Sequence, residues 1–300
     1  MKRWKTPGFW MAIGLFGVIF LGLFGISRLI NEYFNGGERY DGNRDVVGFV
    51  RIKGGIFDAT STVRSLTKLR RNPRVKSLLL RVDSPGGAVG PTQEIYREIL
   101  RFRRSGRKVV ASLGSVAASG GYYIASAADK IYSYPGTVTG SIGVVIVLPN
   151  AEKMLDTLGL RFTIIKSAPF KDIGSPLRTL TDSDREIFQR LIDDTYTQFV
   201  MAVSKGRHML FEKAKKIADG SVFSGERAKK LGLVDELGSQ WDAAMEAARY
   251  AKITGEPKLL EIQPRRSIWT LLNRLFLDWF PGGATSYLGG SPPMLQYMWR

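Results

Sequence analysis

Ser119 lies in the run Ala117-Ala118-Ser119-Gly120-Gly121-Tyr122-Tyr123, and Lys171 opens Lys171-Asp172-Ile173-Gly174-Ser175-Pro176, in a chain of 300 residues with one histidine and no cysteine. A serine attacks a carbonyl only when a neighbouring group takes its proton, and lysine is the best-placed candidate here. The small residues around Ser119 leave its hydroxyl accessible, and a helix starting beneath it presents free N–H donors to a developing negative charge. The same small residues would also serve close helix packing or a plain helix cap. The one histidine, His208, sits in Lys205-Gly206-Arg207-His208 just past a long helical stretch and reads as a surface residue.

A lysine serves as base only when neutral, which requires its pKa to fall by several units from about 10.4 through burial in an apolar pocket. On residue type alone, Lys166 and Lys171 both qualify. The turn Asp83-Ser84-Pro85-Gly86-Gly87 follows an apolar strand, and its glycines let backbone N–H groups approach a ligand with no Cβ in the way. It reads either as half of an oxyanion hole or as a tight strand-to-helix turn. Ser65-Leu66-Thr67-Lys68 matches a Ser-x-x-Lys pattern, but its Ser-Asp-Asn and Lys-Thr-Gly partners are missing and the segment reads as a basic helix face.

These residues need a scaffold, and the chain alternates strand and helix patterns. Strands are predicted at 46–52, 77–82 and 108–113, near 131, at 143–148 and 161–165, and last at 258–262. Helices are predicted at 59–70, 92–104, from Ser119, at 151–158, from 181 to about 205, and at 211–218, 225–231 and 241–251. Thr181-Asp182-Ser183-Asp184 has the form of a capping box ahead of the long helix. Such alternation predicts an α/β fold with a mainly parallel sheet flanked by helices, whose sites collect at the carboxyl ends of strands. Ser119 and the Pro85 turn both fall there.

Residues 6–27 carry no charge over 22 positions, enough for a helix to cross a hydrocarbon core of roughly 30 Å. The competing reading is a cleaved signal peptide, but its apolar stretch is usually only about 7–15 residues and Gly25-Ile26-Ser27 matches its cleavage site weakly, so a retained anchor is expected. Lys2, Arg3 and Lys5 precede the span without an acid, while Glu32, Glu38, Asp41 and Asp45 outnumber the basic residues after it, which puts the amino terminus in the cytoplasm and the bulk of the chain outside. The expected organisation is a tip and anchor at 1–30, a linker at 31–45, a catalytic domain at 46–263 and an apolar or amphipathic tail at 264–300. In that tail, 267–280 reads as an interfacial membrane helix or as a surface packed on protein.

Absence of cysteine excludes disulfides, thiolate catalysis and cysteine-bound metal sites. The net charge of +17 concentrates between Arg64 and Lys108, where thirteen Lys and Arg face Asp83, Glu94 and Glu98. That run reads as solvated helix faces or as a surface for anionic lipid head groups. It lacks the interleaved aromatics of a nucleic-acid surface, so no nucleic-acid partner is expected.

Taken together, Arg81-Val82-Asp83-Ser84-Pro85-Gly86-Gly87, the Ser119 run, Thr139-Gly140-Ser141-Ile142-Gly143-Val144, the Lys171 run and Gly232-Leu233-Val234-Asp235-Glu236-Leu237-Gly238 resemble the bacterial signal peptide peptidase A family. These are membrane-anchored Ser/Lys proteases with a Clp/crotonase-like core. The resemblance covers about 46–247 and implies Ser119 as nucleophile, Lys171 as general base, Ser141 as the serine that hydrogen-bonds the lysine, and a Gly86 N–H facing the oxyanion. Gly120, following the nucleophile, is the inferred second donor. Ser167-Ala168-Pro169-Phe170 stands where the family often has a glycine. The resemblance further implies remnant signal peptides and other apolar peptides as substrates, a homo-oligomeric ring whose active sites draw on neighbouring subunits, and no metal or cofactor. The competing readings are a crotonase-like membrane scaffold without catalysis and an acyl-coenzyme A enzyme of the same core.

Overall fold

The structure, a computed structural model, describes residues 44–262 and 296–298, together with positions 20, 22, 24 and 25. Its chain divides into two compact units, one of residues 1–42 and 263–288 and another of residues 43–262 and 289–300. In the first, Phe20 and Phe24 are helical and exposed. Among the described residues no helix is long and apolar enough to cross a membrane. Apart from those few positions, the anchor expected at 6–27 lies outside the described residues, as does the tail helix expected at 267–280.

The second unit is built on β1 (Val46–Lys53), α1 (Thr60–Arg71), β2 (Val75–Ser84), β3 (Gly86–Ala88), α2 (Val89–Arg104), β4 (Lys108–Ala118), α3 (Gly120–Ala125), β5 (Lys130–Ser133) and β6 (Val138–Gly140). It continues through α4 (Glu152–Thr157), α5 (Asp182–Gly206), α6 (Phe211–Ile217), β7 (Val222–Ser224), α7 (Gly225–Leu231), β8 (Glu236–Leu237), α8 (Gln240–Tyr250), β9 (Leu259–Glu261) and β10 (Gln296–Met298). The main sheet runs β7-β6-β4-β2-β1-β9, with β5 between β4 and β8, and only β6 and β7 pair antiparallel. The expected mainly parallel α/β fold is what forms.

Burial explains why these segments become strands. In β2, Leu78, Leu79, Leu80 and Val82 are all fully buried, which a strand achieves only when both faces are covered. Val47, Phe49, Leu79 and Val110 meet an alanine stripe of α8, formed by Ala243, Ala244, Ala247 and Ala248. The small side chains let α8 approach until Ser77 Oγ donates to the Ala247 carbonyl at 2.7 Å. Gly48 and Leu78 point to the opposite face, where Leu69 of α1 packs. Each leucine buried this way contributes about 1.5–3 kcal/mol relative to an exposed one.

Two expected strands do not form. Residues 143–148 hold no more than a single bridge residue, Val145, residues 161–165 follow an irregular path, and the next strand after β5 is β6 at Val138–Gly140. The apolar residues that suggested strands stay outside instead: Val147 is 52% exposed, Phe162 58% and Ile165 96%. Their exposure gives them no place in the main sheet among the described residues.

Candidate active site

The site forms where β4 changes partners. Its first half pairs with β2 and β5, and its last residues, Val116 to Ala118, pair with β6. The register between β2 and β4 slips between Val82 and Ser84, helped by Asp83, whose Oδ1 accepts the Val116 N–H at 3.1 Å. This bends the end of β4 over the Asp83 turn, and the next residue is Ser119.

Ser119 caps α3 with φ 51° and ψ −119°, a backbone conformation that residues with a Cβ rarely adopt. Its N–H donates to the Gly140 carbonyl at 2.8 Å and its carbonyl accepts from the Tyr123 N–H at 2.8 Å, so the sharp turn is held from both sides. The residue is 1% exposed, and its hydroxyl has no hydrogen-bond partner among the described residues. A strained turn holding an uncommitted hydroxyl at the end of a central strand is suited to a nucleophile.

Glycines bring the Asp83 turn onto it. A Cβ on Gly121 would lie 2.6 Å from the Ser84 carbonyl, one on Gly120 2.9 Å from Thr92 Oγ1, and one on Gly86 2.7 Å from the Gly120 nitrogen. Gly86, with φ 103°, was expected to donate to the oxyanion, but its N–H is directed to Ser84 Oγ at 3.1 Å. Ile56 occupies one edge of β3: its N–H donates to the Gly86 carbonyl and its carbonyl accepts from Ala88 N–H. Strand alternation then turns the Gly87 N–H to the other edge, where Tyr297 of β10 is its register partner. The Gly87 N–H thus lies on the β3 edge that faces β10, a placement that motif spacing alone did not single out.

Ser141 follows directly on Gly140, with φ 49°, and its N–H donates to the Ser221 carbonyl at 2.7 Å. It is thereby fixed one residue from the carbonyl that holds Ser119. Lys171 stands apart. It lies in an exposed turn closed by its own N–H to the Ala168 carbonyl, and its side chain has no hydrogen bond or ion pair among the described residues. Within the chain, Lys171 makes no hydrogen bond to Ser119.

The two lysines that sequence left open are now distinguished. Lys166 Nζ is committed, donating to Asp172 Oδ1 at 2.7 Å and to the Pro169 carbonyl at 2.8 Å. Arg178 clamps Asp172 from the other side and also binds Asp184, the third residue of α5 and a member of its capping box. The Arg178 guanidinium holds the Asp184 carboxyl down to about 2 and the Asp172 carboxyl well below the ordinary carboxylate range. This network anchors the turn that carries Lys171 while leaving that one amine uncommitted.

The same sequence matches the Peptidase family S49 profile over residues 101–254. With this fold and this serine, the chain belongs to peptidase family S49. A relative from Synechocystis sp. that carries the name of a protease is 41% identical over 233 residues, covering 77% of this chain and 83% of its own. Protease 4 of Salmonella typhi is 38% identical over 66% of this chain and 32% of its own length. An Enterococcus faecium relative named for signal peptide peptidase SppA is 35% identical over 66% of this chain and 58% of its own. The chain is thus a protease of the signal peptide peptidase A-like kind.

Proposed function

We propose that this protein is a serine endopeptidase with a Ser119/Lys171 dyad, in which the lysine reaches the serine of a neighbouring copy. The observation that carries the reading is the Ser119 turn: a buried, strained serine whose hydroxyl has no hydrogen-bond partner among the described residues, with the Gly86 turn packed against Gly120, and the N–H groups of Gly87 and Gly120 are its proposed oxyanion donors. Lys171 Nζ removes the hydroxyl proton as Oγ attacks the peptide carbonyl, the two glycine N–H groups hold the oxyanion, and the ammonium protonates the leaving amine. Water then attacks the acyl-serine by the same route. Ser141, fixed beside Gly140, orients the lysine.

The exposed apolar residues before Lys171, Phe162, Ile164, Ile165 and Phe170, support assembly into a ring. Covered by a second copy, they would surround the amine with the apolar shell that a neutral lysine needs. Apolar peptides, remnant signal peptides among them, are the proposed substrates, and an anchor at residues 6–27 would hold the enzyme at the membrane with its catalytic unit outside. Incubating the purified protein with a model signal peptide and reading the products by mass spectrometry tests this. Hydrolysis that persists at full rate in Ser119→Ala refutes it.

A further inference from the structure

Between α2 and α5 the surface opens into a groove of about 660 Å³, the size of a small-molecule site. Its lining includes neither Ser119, Ser141, Lys171 nor the Asp83 turn. The wall is largely apolar: Tyr96 meets Tyr123 edge-on at 4.9 Å and 73°, and Leu100, Met201 and Ala202 continue the surface beside them. Met201 is 38% exposed, so the wall is open to solvent. Gln93 Nε2 donates to Gln198 Oε1 at 2.8 Å and bridges the two helices at the start of the groove.

The charges around that wall are all of one sign. Arg97, Arg101 and Arg104 follow one another along one side of α2, and Lys205 comes from the last turn of α5. No Asp or Glu lines the groove. Arg101 donates to Glu98, but the side chains of Arg97, Arg104 and Lys205 make no hydrogen bond or ion pair among the described residues. A neighbouring recess of about 410 Å³ shares Leu100 and Arg104 yet differs in kind, because there Asp129 already binds Arg103 and Lys108. A solvated basic helix face needs no apolar wall, and a wall that packs on protein needs no uncommitted cations. The groove combines the two.

We infer that the groove between α2 and α5 binds an anionic phospholipid, its head group among Arg97, Arg101, Arg104 and Lys205 and the first part of an acyl chain along Tyr96, Leu100 and Met201. Guanidinium groups pair with phosphate oxygens in a two-point fork, and covering the wall with acyl carbon adds a contribution that does not depend on charge. Arg64, Lys68 and Arg71 on the exposed side of α1, which packs beside α2, add attraction to an anionic bilayer without shaping the groove. A basic peptide is repelled here, and two copies of the chain meeting through this face would set like charges against each other. An acidic peptide would satisfy the cations but give the apolar wall no partner. Lipid bound here touches none of Ser119, Ser141 and Lys171, so its binding is separable from hydrolysis.

Native mass spectrometry of the full-length protein released from neutral detergent micelles tests this, with titration of dioleoylphosphatidylglycerol, of dioleoylphosphatidylcholine, which has the same chains, and of inorganic phosphate. The anionic lipid should bind at least about tenfold more tightly than the zwitterionic one, and phosphate alone at least about a hundredfold more weakly than the anionic lipid. Replacing Arg97, Arg104 and Lys205 together by Gln should weaken the anionic lipid about a hundredfold, roughly fivefold per cation. The matched replacement of Arg64, Lys68 and Arg71 by Gln, on α1, should change it less than about threefold. Met201→Glu sets a carboxylate on the apolar wall beside the head group and should weaken binding at least about tenfold. All these side chains are exposed, and melting temperatures like that of wild type separate loss of lipid from loss of fold. Equal binding of the two lipids, equal losses from the two triple variants, or phosphate bound as tightly as lipid overturns the inference. So does a decaglutamate peptide that binds more tightly than the anionic lipid and displaces it.

Discussion

The peptide N–H of Ser119 donates to the carbonyl of Gly140, and the residue after Gly140 is Ser141. One 2.8 Å hydrogen bond thus ties the proposed nucleophile to the proposed orienting serine through the end of the sheet. Ser119→Ala should leave the fold and the thermal transition nearly unchanged while lowering peptide hydrolysis by at least about a thousandfold. Ser141→Ala removes the hydrogen bond proposed to orient the lysine and should lower kcat about fivefold with little change in KM.

The two lysines should separate cleanly. Lys171→Ala should match Ser119→Ala in lost activity, whereas Lys166→Ala, which breaks only the contacts to Asp172 and Pro169, should retain most of it. If each site joins two copies, co-assembling Ser119→Ala with Lys171→Ala subunits should restore a measurable fraction of activity, because some interfaces pair an intact serine with an intact lysine. No recovery from verified mixed assemblies would place both groups in one subunit.

Gly86→Ala adds a methyl group at φ 103°, 2.0 Å from the Tyr297 carbonyl oxygen and 2.7 Å from the Gly120 nitrogen. Conformational strain and collision together should cost about 2 kcal/mol or more and abolish activity. Gly106→Ala, also at positive φ but with nothing within 4 Å of the added carbon, should cost only about 1 kcal/mol and keep activity. Thermal melts and peptide assays on the two variants give the comparison.

Acid should expose the Arg178 clamp. The Asp184 carboxyl falls from an ordinary 3.8 to about 2 on folding, so its stabilisation is complete above the unfolded value and is lost as pH drops through the folded one. Arg178→Ala should therefore melt at a lower temperature than wild type at pH 7. The gap should begin to close below about pH 4 and go on narrowing below about pH 2, because Asp172, which Arg178 holds lower than Asp184, protonates last; melting temperatures measured at each pH give the comparison.

The parts of the chain that announce themselves are those in which local chemistry and global burial agree. β2 is apolar on both faces because both are covered, and Thr181 with Asp184 forms both halves of the capping box its spacing predicts. The strands expected at 143–148 and 161–165 fail because apolar alternation alone does not secure a neighbouring strand in the sheet. Lys166 and Lys171 cannot be told apart by type, since only the folded turn shows which one Asp172 occupies. Gly86 and Gly87 are adjacent and chemically identical, and the edge each N–H faces is set by Ile56, a pairing no motif encodes. β10 is three residues long and pairs far across the sequence, beyond any periodicity signal.

The Ser141 N–H rests on the carbonyl of Ser221, next to β7, the antiparallel partner of β6. Residues from the last third of the catalytic unit therefore brace the turn beside the nucleophile. A fragment ending after α5 could keep the hydrophobic centre of the sheet yet would lack this brace, so catalytic competence should emerge only late during synthesis, when the polypeptide has grown past β7. Such a delay would shelter the nascent chain's neighbours from a half-built peptidase.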